Sequence, residues 1–452
     1  MRARFSGGVH PDPRKSATER LPVIELPPPA LAVIPLLQHA GPVSRALVKA
    51  GDRVLRGQKI GEADGFFAAH IHASVAGKVR EVGLQPHPLG TPVAAVVIES
   101  DGSDRPEPHR GQAWETCSPE ALRSLVREAG IVGLGGAAFP THVKLEPPQA
   151  KKIVALVVNG AECEPYLTAD HRLMVERAAD VIRGARIMAR ILGVTRILIG
   201  VEVNKPDAVA SLKLAAGAGV DVENLPVVYP QGAEKQLIKA LLGREVPPPP
   251  GLPMDVGVVV QNVGTCAAVY EAVCHGRPLI DRVVTVAGGG VSRPGNFRVR
   301  IGTPLRQLVE ACGGLLPATV RIVMGGPMMG VSQAGLEAPV IKGTSGLLAL
   351  TRSEVAERHA GSCIRCGRCV RACPMGLLPS AIAPCAQHRL DERAEGLDAM
   401  ACIECGSCAY VCPAAIPLVQ HIRLAKSRIA AARRQRREKG KEKEAVEAAA
   451  PD

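Results

Sequence analysis

Nine of the fourteen cysteines fall between positions 363 and 412, and eight of these nine form two copies of one spacing. Both copies follow the pattern C-x2-C-x2-C-x3-C-P, and their cysteines are Cys363, Cys366, Cys369 and Cys373, then Cys402, Cys405, Cys408 and Cys412. This spacing is typical of bacterial ferredoxins with two [4Fe–4S] clusters, in which the fourth cysteine of each run binds the other cluster. The sequence therefore predicts one cluster on Cys363, Cys366, Cys369 and Cys412, and a second on Cys402, Cys405, Cys408 and Cys373.

Zinc is the alternative occupant of this region, because paired C-x2-C motifs also bind zinc. A zinc site explains neither the third cysteine of each run nor the Cys373-Pro374 and Cys412-Pro413 pairs. The repetition of the complete pattern therefore favours iron–sulfur clusters.

The composition is that of a folded protein with several domains. Hydrophobic residues make up 46% of the 452 residues and charged residues 22%, which excludes a largely disordered chain. A chain of this length is expected to form about two to four domains. The longest candidate for a membrane span, residues 21–37, contains five prolines, and we see no secretory signal. We therefore expect a cytoplasmic location and no membrane-spanning helix.

Changes of pattern along the chain predict a multidomain α/β and α+β protein. The expected order is a barrel-sandwich domain at 1–110, a Rossmann-like domain at 115–275, a β-grasp domain at 276–350, a two-cluster ferredoxin-like helical domain at 355–425 and a basic tail at 426–452. The first domain is similar to biotinyl and lipoyl domains but has no lysine between Gly61 and His70, so we expect a scaffold rather than a swinging arm. In the second domain we expect strands at 153–160, 195–203 and 225–230, with helices between them.

A glycine cluster opens the second domain, with glycines at positions 130, 133, 135 and 136. It is not a dinucleotide fingerprint of the Rossmann type, because that motif needs a strand before the loop and a helix after it. A helix precedes this loop. A tight structural turn and a phosphate-binding loop both remain open at this point, since backbone N–H groups without a β-carbon can approach an anion closely. Lys144 lies close enough in sequence to add positive charge.

Several motifs are similar to those of the FMN- and NADH-binding subunit of respiratory complex I. They are GLGGAAFPTHVK (133–144), VNGAECEP (158–165), YPQGAEKQL (229–237) and VVQNVGT (259–265), in the same order. Other features restrict the resemblance to one family within this group. They are the segment FSGGVHP (5–11), the sandwich domain, GGPMMG (325–330) and the doubled cysteine motif. The chain as a whole resembles the C subunits of Rnf (Rsx) ion-translocating electron transport complexes.

The resemblance implies a flavin site and the residues that form it. FMN would be held by Gly133, Gly135, Gly136 and Lys144; Asn159, Glu162, Glu164, Tyr229, Gly232, Glu234 and Asn262 would line the site; and Phe139 would lie at the nicotinamide or adenine face. Four positions depart from the complex I motifs: Leu134 stands where those motifs have an arginine, Ala138 where they have a glycine, Ala233 where they have the first glutamate, and Gln261 where they have the first asparagine of a pair. Without the surrounding motif, Glu162 and Glu164 would be interpreted as solvated loop carboxylates.

The function that the resemblance implies is that of a peripheral flavo-iron–sulfur subunit. It would pass electrons between NADH, FMN and two [4Fe–4S] clusters, to or from membrane partner subunits and ferredoxin, at the cytoplasmic face of the bacterial inner membrane. A soluble cobalamin reductase is an alternative, although that family lacks the FSGGVHP segment and the sandwich domain. A nucleic-acid-binding metalloprotein is an alternative of another class, suggested by the basic tail. We expect no nucleic-acid binding, because that hypothesis leaves the glycine loop unexplained and the chain has few aromatic residues.

The tail adds positive charge near the end of the chain. Residues 421–443 contain ten Lys or Arg against two Glu. This segment has few large apolar residues, Leu424 and Ile429 among them, so it is not expected to insert deeply into a membrane. We expect partner subunits to provide most of the docking and the tail to add a salt-sensitive increment, with a solvated, inactive tail as the alternative.

Overall fold

A computed structural model describes residues 5–355 and 359–448. Residues 1–4 of the predicted first domain, 356–358 at the start of the predicted two-cluster domain and 449–452 of the predicted tail lie outside the described residues.

The amino-terminal region forms a sandwich of two small sheets. The first strand, β1 (Val23–Glu25), belongs to the sheet of the third region. The strands of the sandwich itself are β2 (Leu31–Pro35), β3 (Arg45–Ala46), β4 (Arg53–Val54), β5 (Lys59–Glu62), β6 (Ile71–His72), β7 (Gly77–Gln85) and β8 (Val93–Ser100). One sheet has the order β2-β8-β7-β4 and the other β3-β5-β6. Apolar side chains that alternate along the strands fill the space between the sheets, among them Ile34, Ile60, Ile71 and Ile98.

The second region is an α/β domain with a parallel sheet. Its elements are α1 (Pro119–Glu128), α2 (Thr141–Lys144), β9 (Ala155–Gly160), α3 (Ala169–Glu176), α4 (Ala178–Leu192), β10 (Ile197–Glu202), α5 (Pro206–Ala216), β11 (Val220–Leu225), α6 (Glu234–Leu242), β12 (Val258–Asn262) and α7 (Val263–His275). Short 3₁₀ helices at Trp114–Thr116 and Pro253–Val256 precede α1 and β12. Every residue of β10 and β12 is buried, as expected where helices cover both faces of a parallel sheet.

The order of this sheet creates a switch point between β9 and β12. The strands lie in the order β11-β10-β9-β12, so the chain moves outward from β9 through β10 to β11 and then returns to the other side of β9. Asn159 and Asn262 are register partners near the carboxyl ends of these two strands. In open α/β sheets, ligands bind outside the carboxyl ends of the strands at such a point.

The strand expected at 225–230 was placed wrongly. The strand β11 ends at Leu225, and the following residues form an extended loop in which Tyr229 makes a single bridge with Val9. Pro226 and Pro230 interrupt the apolar run and cannot donate hydrogen bonds to a ladder, which explains why the less apolar segment 220–225 forms the strand instead.

The third region is a mixed sheet with one helix, the expected β-grasp arrangement. It contains β13 (Asp281–Ala287), β14 (Gly295–Arg300), α8 (Leu305–Ala311), β15 (Thr319–Met324), β16 (Val331–Gln333) and β17 (Gly346–Thr351). The sheet order is β1-β14-β13-β17-β15-β16. Strand β1 pairs in parallel with β14, so a segment assigned to the first domain completes the sheet of the third.

The last region is helical and carries both cysteine runs. Its helices are α9 (Arg368–Ala372), α10 (Pro379–Gln387), α11 (Asp391–Gly396), α12 (Ser407–Tyr410) and α13 (Leu418–Ala448), with a 3₁₀ turn at Ala399–Ala401. Within the two described ranges, no helix combines the length and the apolar character needed to cross a bilayer.

Helix α13 runs through the boundary predicted at 425/426. Ile429 is buried together with Ile422 in the core of the helical domain. Farther along the helix, Arg433 donates to Glu395 at 2.7 Å, and Arg436 donates to Glu392 at 3.3 Å. Because these contacts hold the helix against the domain, we propose that the domain extends to Arg436 and that a separate tail begins after it.

Candidate flavin and iron–sulfur sites

The glycine loop lies between α1 and α2, at the switch point of the sheet. The N–H of Gly133 donates to the carbonyl oxygen of Phe139 at 2.8 Å, and this bond closes the loop. Gly135, Gly136 and Ala137 form its exposed tip. Gly136 has a φ of +109°, and a β-carbon built there would meet no atom within 4 Å. The loop therefore presents bare backbone to open space.

The two asparagines at the strand ends connect this loop to the sheet. The side chain of Asn262 caps α7 by accepting a hydrogen bond from the N–H of Gly264 at 2.8 Å, and it donates to Asp170 at 2.7 Å. A β-carbon built on Gly135 would lie 3.5 Å from the Cβ of Asn262. Burial, together with the Glu162 carboxylate, raises the pKa of Asp170.

Four of the predicted site residues make two direct contacts at this edge of the sheet. Asn159 donates its side-chain N–H to the carbonyl oxygen of Gly232 at 2.8 Å. The ammonium group of Lys144 lies 2.6 Å from Glu234 Oε1 and 3.3 Å from the carbonyl oxygen of Val260. The structure thus brings together residues from all four motifs at the carboxyl edge of the sheet.

The chemistry of these residues fits a phosphate-bearing flavin. Helices α6 and α7 both begin at this edge of the sheet, where their N–H groups favour an anion. Among the residues that the structure describes, buried amide atoms of Gln231 and Gln261 have no hydrogen-bond partner. These residues are the chain neighbours of Gly232 and Asn262. An open glycine loop, a lysine and unpaired amides match the phosphate and the polar ring edge of FMN.

Glu162, Glu164 and Tyr229 are engaged by protein partners in this structure. The Glu162 carboxylate accepts from the N–H groups of Asp170 and His171, at 2.7 and 3.2 Å, at the start of α3. Glu164 accepts from the N–H groups of Met328 and Met329, at 3.0 and 2.9 Å. Burial raises the pKa of Glu164 to about 7, although these N–H donors oppose the shift. The two glutamates are therefore not the solvated carboxylates of the alternative interpretation.

Tyr229 reaches the helical domain. Its hydroxyl donates to the carbonyl oxygen of Cys405 at 2.7 Å, and the side chain is 2% exposed. Tyr229 packs with Val9, Ala372 and Cys405 in one apolar cluster.

Sequence analysis missed two buried lysines that organise the loop of Glu162 and Glu164. The ammonium group of Lys15 donates to the carbonyl oxygens of Glu162 and Glu164, both at 2.9 Å, and also to that of Leu167. The ammonium group of Lys205 donates to the carbonyl oxygen of Ala161 at 2.7 Å. A buried lysine has no sequence signal of its own, since its pattern resembles that of a solvated one.

Four cysteines surround one apolar cavity in the helical domain. They are Cys373, Cys402, Cys405 and Cys408, and the cavity is also lined by side chains such as Leu377, Val419 and Ile422. Backbone N–H groups point at two of the sulfurs: Leu377 N lies 3.4 Å from Cys373 Sγ, and Glu404 N lies 3.3 Å from Cys402 Sγ. Such hydrogen bonds tune the potential of an iron–sulfur cluster. The set includes Cys373, the ligand expected to cross over from the first run.

The other four predicted ligands are more open. Cys363 and Cys366 are exposed, and Cys369 and Cys412 pack against a second apolar cluster around Leu418. The N–H of Gly361 donates to the carbonyl oxygen of Ala414 at 2.9 Å, which holds the first run beside the end of the second. Within the described residues, no group of three or more His, Cys, Asp or Glu side chains is placed so that it could hold a single metal ion.

A glycine loop at a switch point and a doubled four-cysteine motif define a flavo-iron–sulfur electron-transfer protein. Comparison with protein families supports this class over most of the chain. Residues 3–103 match the RnfC barrel sandwich hybrid domain, 126–271 the Nuo51 FMN-binding domain, 283–332 the SLBB domain and 362–416 the 4Fe-4S dicluster domain.

Curated relatives identify the family. The chain is 48% identical to the C subunit of the proton-translocating ferredoxin:NAD(+) oxidoreductase complex of Clostridium ljungdahlii, and the alignment covers 94% of each chain. It is 46% identical to the C subunit of the Na(+)-translocating complex of Acetobacterium woodii, over 95% of this chain and 98% of that one. It is 45% identical to the C subunit of the ion-translocating oxidoreductase complex of Rhodobacter capsulatus, over 94% and 82%. The chain belongs to this family, the C subunits of Rnf-type ion-translocating oxidoreductase complexes.

A solved structure supports the fold. The NAD+-reducing [NiFe]-hydrogenase in its H2-reduced state matches with a TM-score of 0.50 and 19% sequence identity, over 70% of this chain and 63% of that one. The expected fold class, with its sandwich, Rossmann-like, β-grasp and dicluster domains, is confirmed.

The crossing of the fourth cysteines is testable by pairing substitutions. If Cys373 and Cys405 bind the same cluster, the double variant Cys373→Ser/Cys405→Ser should lose about four of eight irons, no more than either single variant. The variant Cys373→Ser/Cys366→Ser should lose nearly all eight, because each substitution removes a different cluster. Iron and acid-labile sulfide assays on anaerobically purified protein measure this. The reverse ranking of the two double variants would show that each run holds its own cluster.

Proposed function

We propose that this chain binds FMN at the switch point between β9 and β12 and passes electrons between NAD(H) and two [4Fe–4S] clusters on the helical domain. The relatives from C. ljungdahlii and A. woodii are subunits of ferredoxin:NAD(+) oxidoreductases, and we infer the same overall reaction here. When bound, FMN exchanges a hydride with NAD(H) and single electrons with the clusters. The protein supplies the positions of the groups and the electrostatics around them.

The observation that carries this proposal is the direct contact between the flavin domain and the second cysteine run. Tyr229 belongs to one of the flavin motifs, and its hydroxyl is hydrogen-bonded to the carbonyl oxygen of the cluster ligand Cys405. The N–H of Gly8 donates to the carbonyl oxygen of Ala372 at 3.0 Å, next to Cys373. These contacts support a location beside the flavin domain for the cluster on Cys373, Cys402, Cys405 and Cys408.

The GGPMMG loop (325–330) strengthens the same junction. Glu164 binds the N–H groups of Met328 and Met329 from the flavin domain. On the other side of the loop, a β-carbon on Gly406 would lie 2.8 Å from the carbonyl oxygen of Met328. Gly406 has a φ of +84° and separates two cysteine ligands. The GGPMMG loop therefore lies between the flavin domain and the second cysteine run, and its backbone sets the distance between that domain and that run.

The basic face of helix α13 contributes less free charge than its sequence indicates. Glu404 pairs with Arg423 at 2.8 Å and also with Lys426, and Arg428 lies 2.9 Å from Asp391. These ion pairs disfavour the nucleic-acid alternative. The sandwich domain that a cobalamin reductase lacks matches the RnfC family over residues 3–103. We propose peripheral docking on membrane partner subunits at the cytoplasmic face of the inner membrane, with ferredoxin as the eventual redox partner.

The flavin site can be tested at Gly135, where the fold itself tolerates a β-carbon. The variant Gly135→Val should still fold, because the nearest contact of a β-carbon is an ordinary 3.5 Å. It should lose FMN and NADH-dependent reduction, since the added side chain keeps a phosphate from the backbone N–H groups. Flavin and iron assays with circular dichroism measure this.

Gly335→Val is the matched control for this substitution, because Gly335 also lacks a positive φ and its surroundings are open. This variant should keep its FMN. If Gly135→Val binds FMN and is reduced by NADH at the normal rate, the site lies elsewhere.

The junction can be tested at Tyr229. Tyr229→Phe leaves the buried carbonyl oxygen of Cys405 without its donor, at a cost of about 1 kcal/mol. We expect unchanged iron and FMN contents and a normal rate of flavin reduction by NADH. The absorbance of the clusters should bleach more slowly, and stopped-flow absorbance measures both rates. Tyr166→Phe, which removes the hydrogen bond to Glu354 instead, is the control. Equal rates of cluster bleaching in the unsubstituted protein and in both variants would show that Tyr229 does not contribute to electron transfer across this junction.

Membrane association can be tested by salt extraction. Membranes that contain the partner subunits should retain the protein through a high-salt wash, whereas membranes without them should release it. Replacing Arg434, Arg437 and Lys439 by Gln should lower the salt needed, because each charge near an anionic surface contributes about 1 kcal/mol. Retention at high salt on partner-free membranes would show an anchor other than the partner subunits.

A further inference from the structure

Two adjacent aromatic residues are exposed at the tip of the sandwich domain. The chain has only five Phe, four Tyr and one Trp, yet Phe66 and Phe67 are 42% and 56% exposed. They lie in the turn between β5 (Lys59–Glu62) and β6 (Ile71–His72). Exposed phenylalanines of this kind indicate a binding surface.

The backbone of this turn is fixed against the residues that follow the glycine loop. The ring Nε2 of His142 in α2 lies 2.9 Å from the carbonyl oxygen of Phe66. Gly41 lies so close to this turn that a β-carbon there would be 1.9 Å from the carbonyl oxygen of Phe67. The N–H of Ala40 donates to the carbonyl oxygen of Ala138 at 3.1 Å. The sandwich domain is therefore clamped onto the flavin domain at this place.

The rings form a continuous aromatic wall. Phe67 meets Phe139 edge-on with ring centroids 6.4 Å apart, and Phe66 meets Phe67 at 5.2 Å and His142 at 5.8 Å. Phe139 is also the residue whose carbonyl oxygen closes the glycine loop. The aromatic rings therefore lie directly beside the loop that we assign to the flavin phosphate.

We propose that Phe67, supported by Phe66, is the stacking surface for the adenine ring of NADH. This inference rests on the proposed function. The nicotinamide has to reach the flavin at the strand ends, so the adenosine half of the dinucleotide must extend outward past the glycine loop. A planar aromatic base gains most from an apolar ring face of fixed orientation. Here the backbone that carries the rings is held by His142 and Gly41, and the rings contact one another and Phe139 edge-on. The sandwich domain then forms part of the substrate site, in addition to its role as a scaffold.

A docking site for a partner protein is the competing explanation. The observations favour a small ligand, because the surface consists of a few rings beside the loop that we assign to the flavin phosphate, on a turn whose backbone is held by His142 and Gly41. A protein partner would in addition require further apolar area around the rings, whereas the neighbours Asp64 and Gly65 are exposed and are not apolar.

The test compares NADH with reduced nicotinamide mononucleotide, which lacks the adenosine half. With ferricyanide as acceptor, Phe67→Ala should raise the KM for NADH about tenfold and leave kcat unchanged, because stacking holds substrate and transition state equally. The KM for the mononucleotide should not change. Phe67→Leu, which keeps the apolar volume but loses the ring, should behave like Phe67→Ala. Phe67→Tyr, which keeps an aromatic ring, should have the normal KM for NADH.

The control variant is Leu84→Ala, which truncates an exposed side chain of β7 in the same domain, and it should leave both KM values unchanged. FMN and iron contents should match the unsubstituted protein in every variant. An equal rise in KM for both substrates would mean that Phe67 only shapes the glycine loop, and it would overturn the inference.

An unchanged KM together with weaker binding to membranes that carry the partner subunits would assign the rings to a protein partner, and this too would overturn the inference. If the unsubstituted protein is not reduced by NADH at all, the proposed function itself fails. If the protein is reduced by NADH but the substitutions at Phe67 leave the KM for NADH unchanged, this inference fails and the proposed function stands.

Discussion

Two buried ammonium groups hold the loop between β9 and α3, and the arrangement of the domains follows from that loop. Burying a lysine without hydrogen-bond partners costs several kcal/mol. Here the carbonyl oxygens of Ala161, Glu162, Glu164 and Leu167 turn inward to receive Lys15 and Lys205. Burial nevertheless lowers the pKa of Lys15. With the carbonyls facing the lysines, the Glu162 side chain is directed to α3 and that of Glu164 to the GGPMMG loop, which lies beside the second cysteine run.

The flavin site belongs to no single domain. The ammonium group of Lys342 extends from the β-grasp domain and donates to the carbonyl oxygens of His70 and Gly130, both at 2.7 Å. It thereby ties the sandwich domain to the start of the glycine loop. Arg282 donates from strand β13 to the carbonyl oxygen of Leu134 at 3.3 Å, at the position where the complex I motif has an arginine of its own. A guanidinium group therefore still reaches this loop, but it comes from another domain and binds the backbone.

Sequence reasoning went furthest where the signal is local. The spacing of the cysteine runs predicts that Cys373 shares a cluster with the second run, and in the structure Cys373 lines the same cavity as Cys402, Cys405 and Cys408. The apolar periodicity of β9 and β10 was equally clear. Pairings between segments far apart in the chain could not be read from the sequence. The strand β1 lies within the range predicted for the first domain, yet it pairs with β14 of the third.

The roles of charged side chains were the hardest to foresee. Glu164 matches a flavin motif, but its partners, Met328 and Met329, are 164 and 165 residues away. Ile429 and Arg433 lie in a segment whose composition is that of a solvated tail, and only the position of α10 and α11 beside α13 explains their burial and pairing. Composition describes a segment, whereas these contacts depend on the tertiary fold.

The first residues of the chain have a consequence for how the molecule forms. Val9 bridges Tyr229, Gly8 binds Ala372, and strand β1 pairs with residues 296–298. Contacts of such large sequence separation are slow to form, because a long loop must close before they stabilise anything. During synthesis on the ribosome, residues 8–25 therefore emerge long before their partners and are among the last to find their place. The contact of Gly8 with Ala372 can form only after the first cysteine run has been made, so this segment is fully docked only once the helical domain is present.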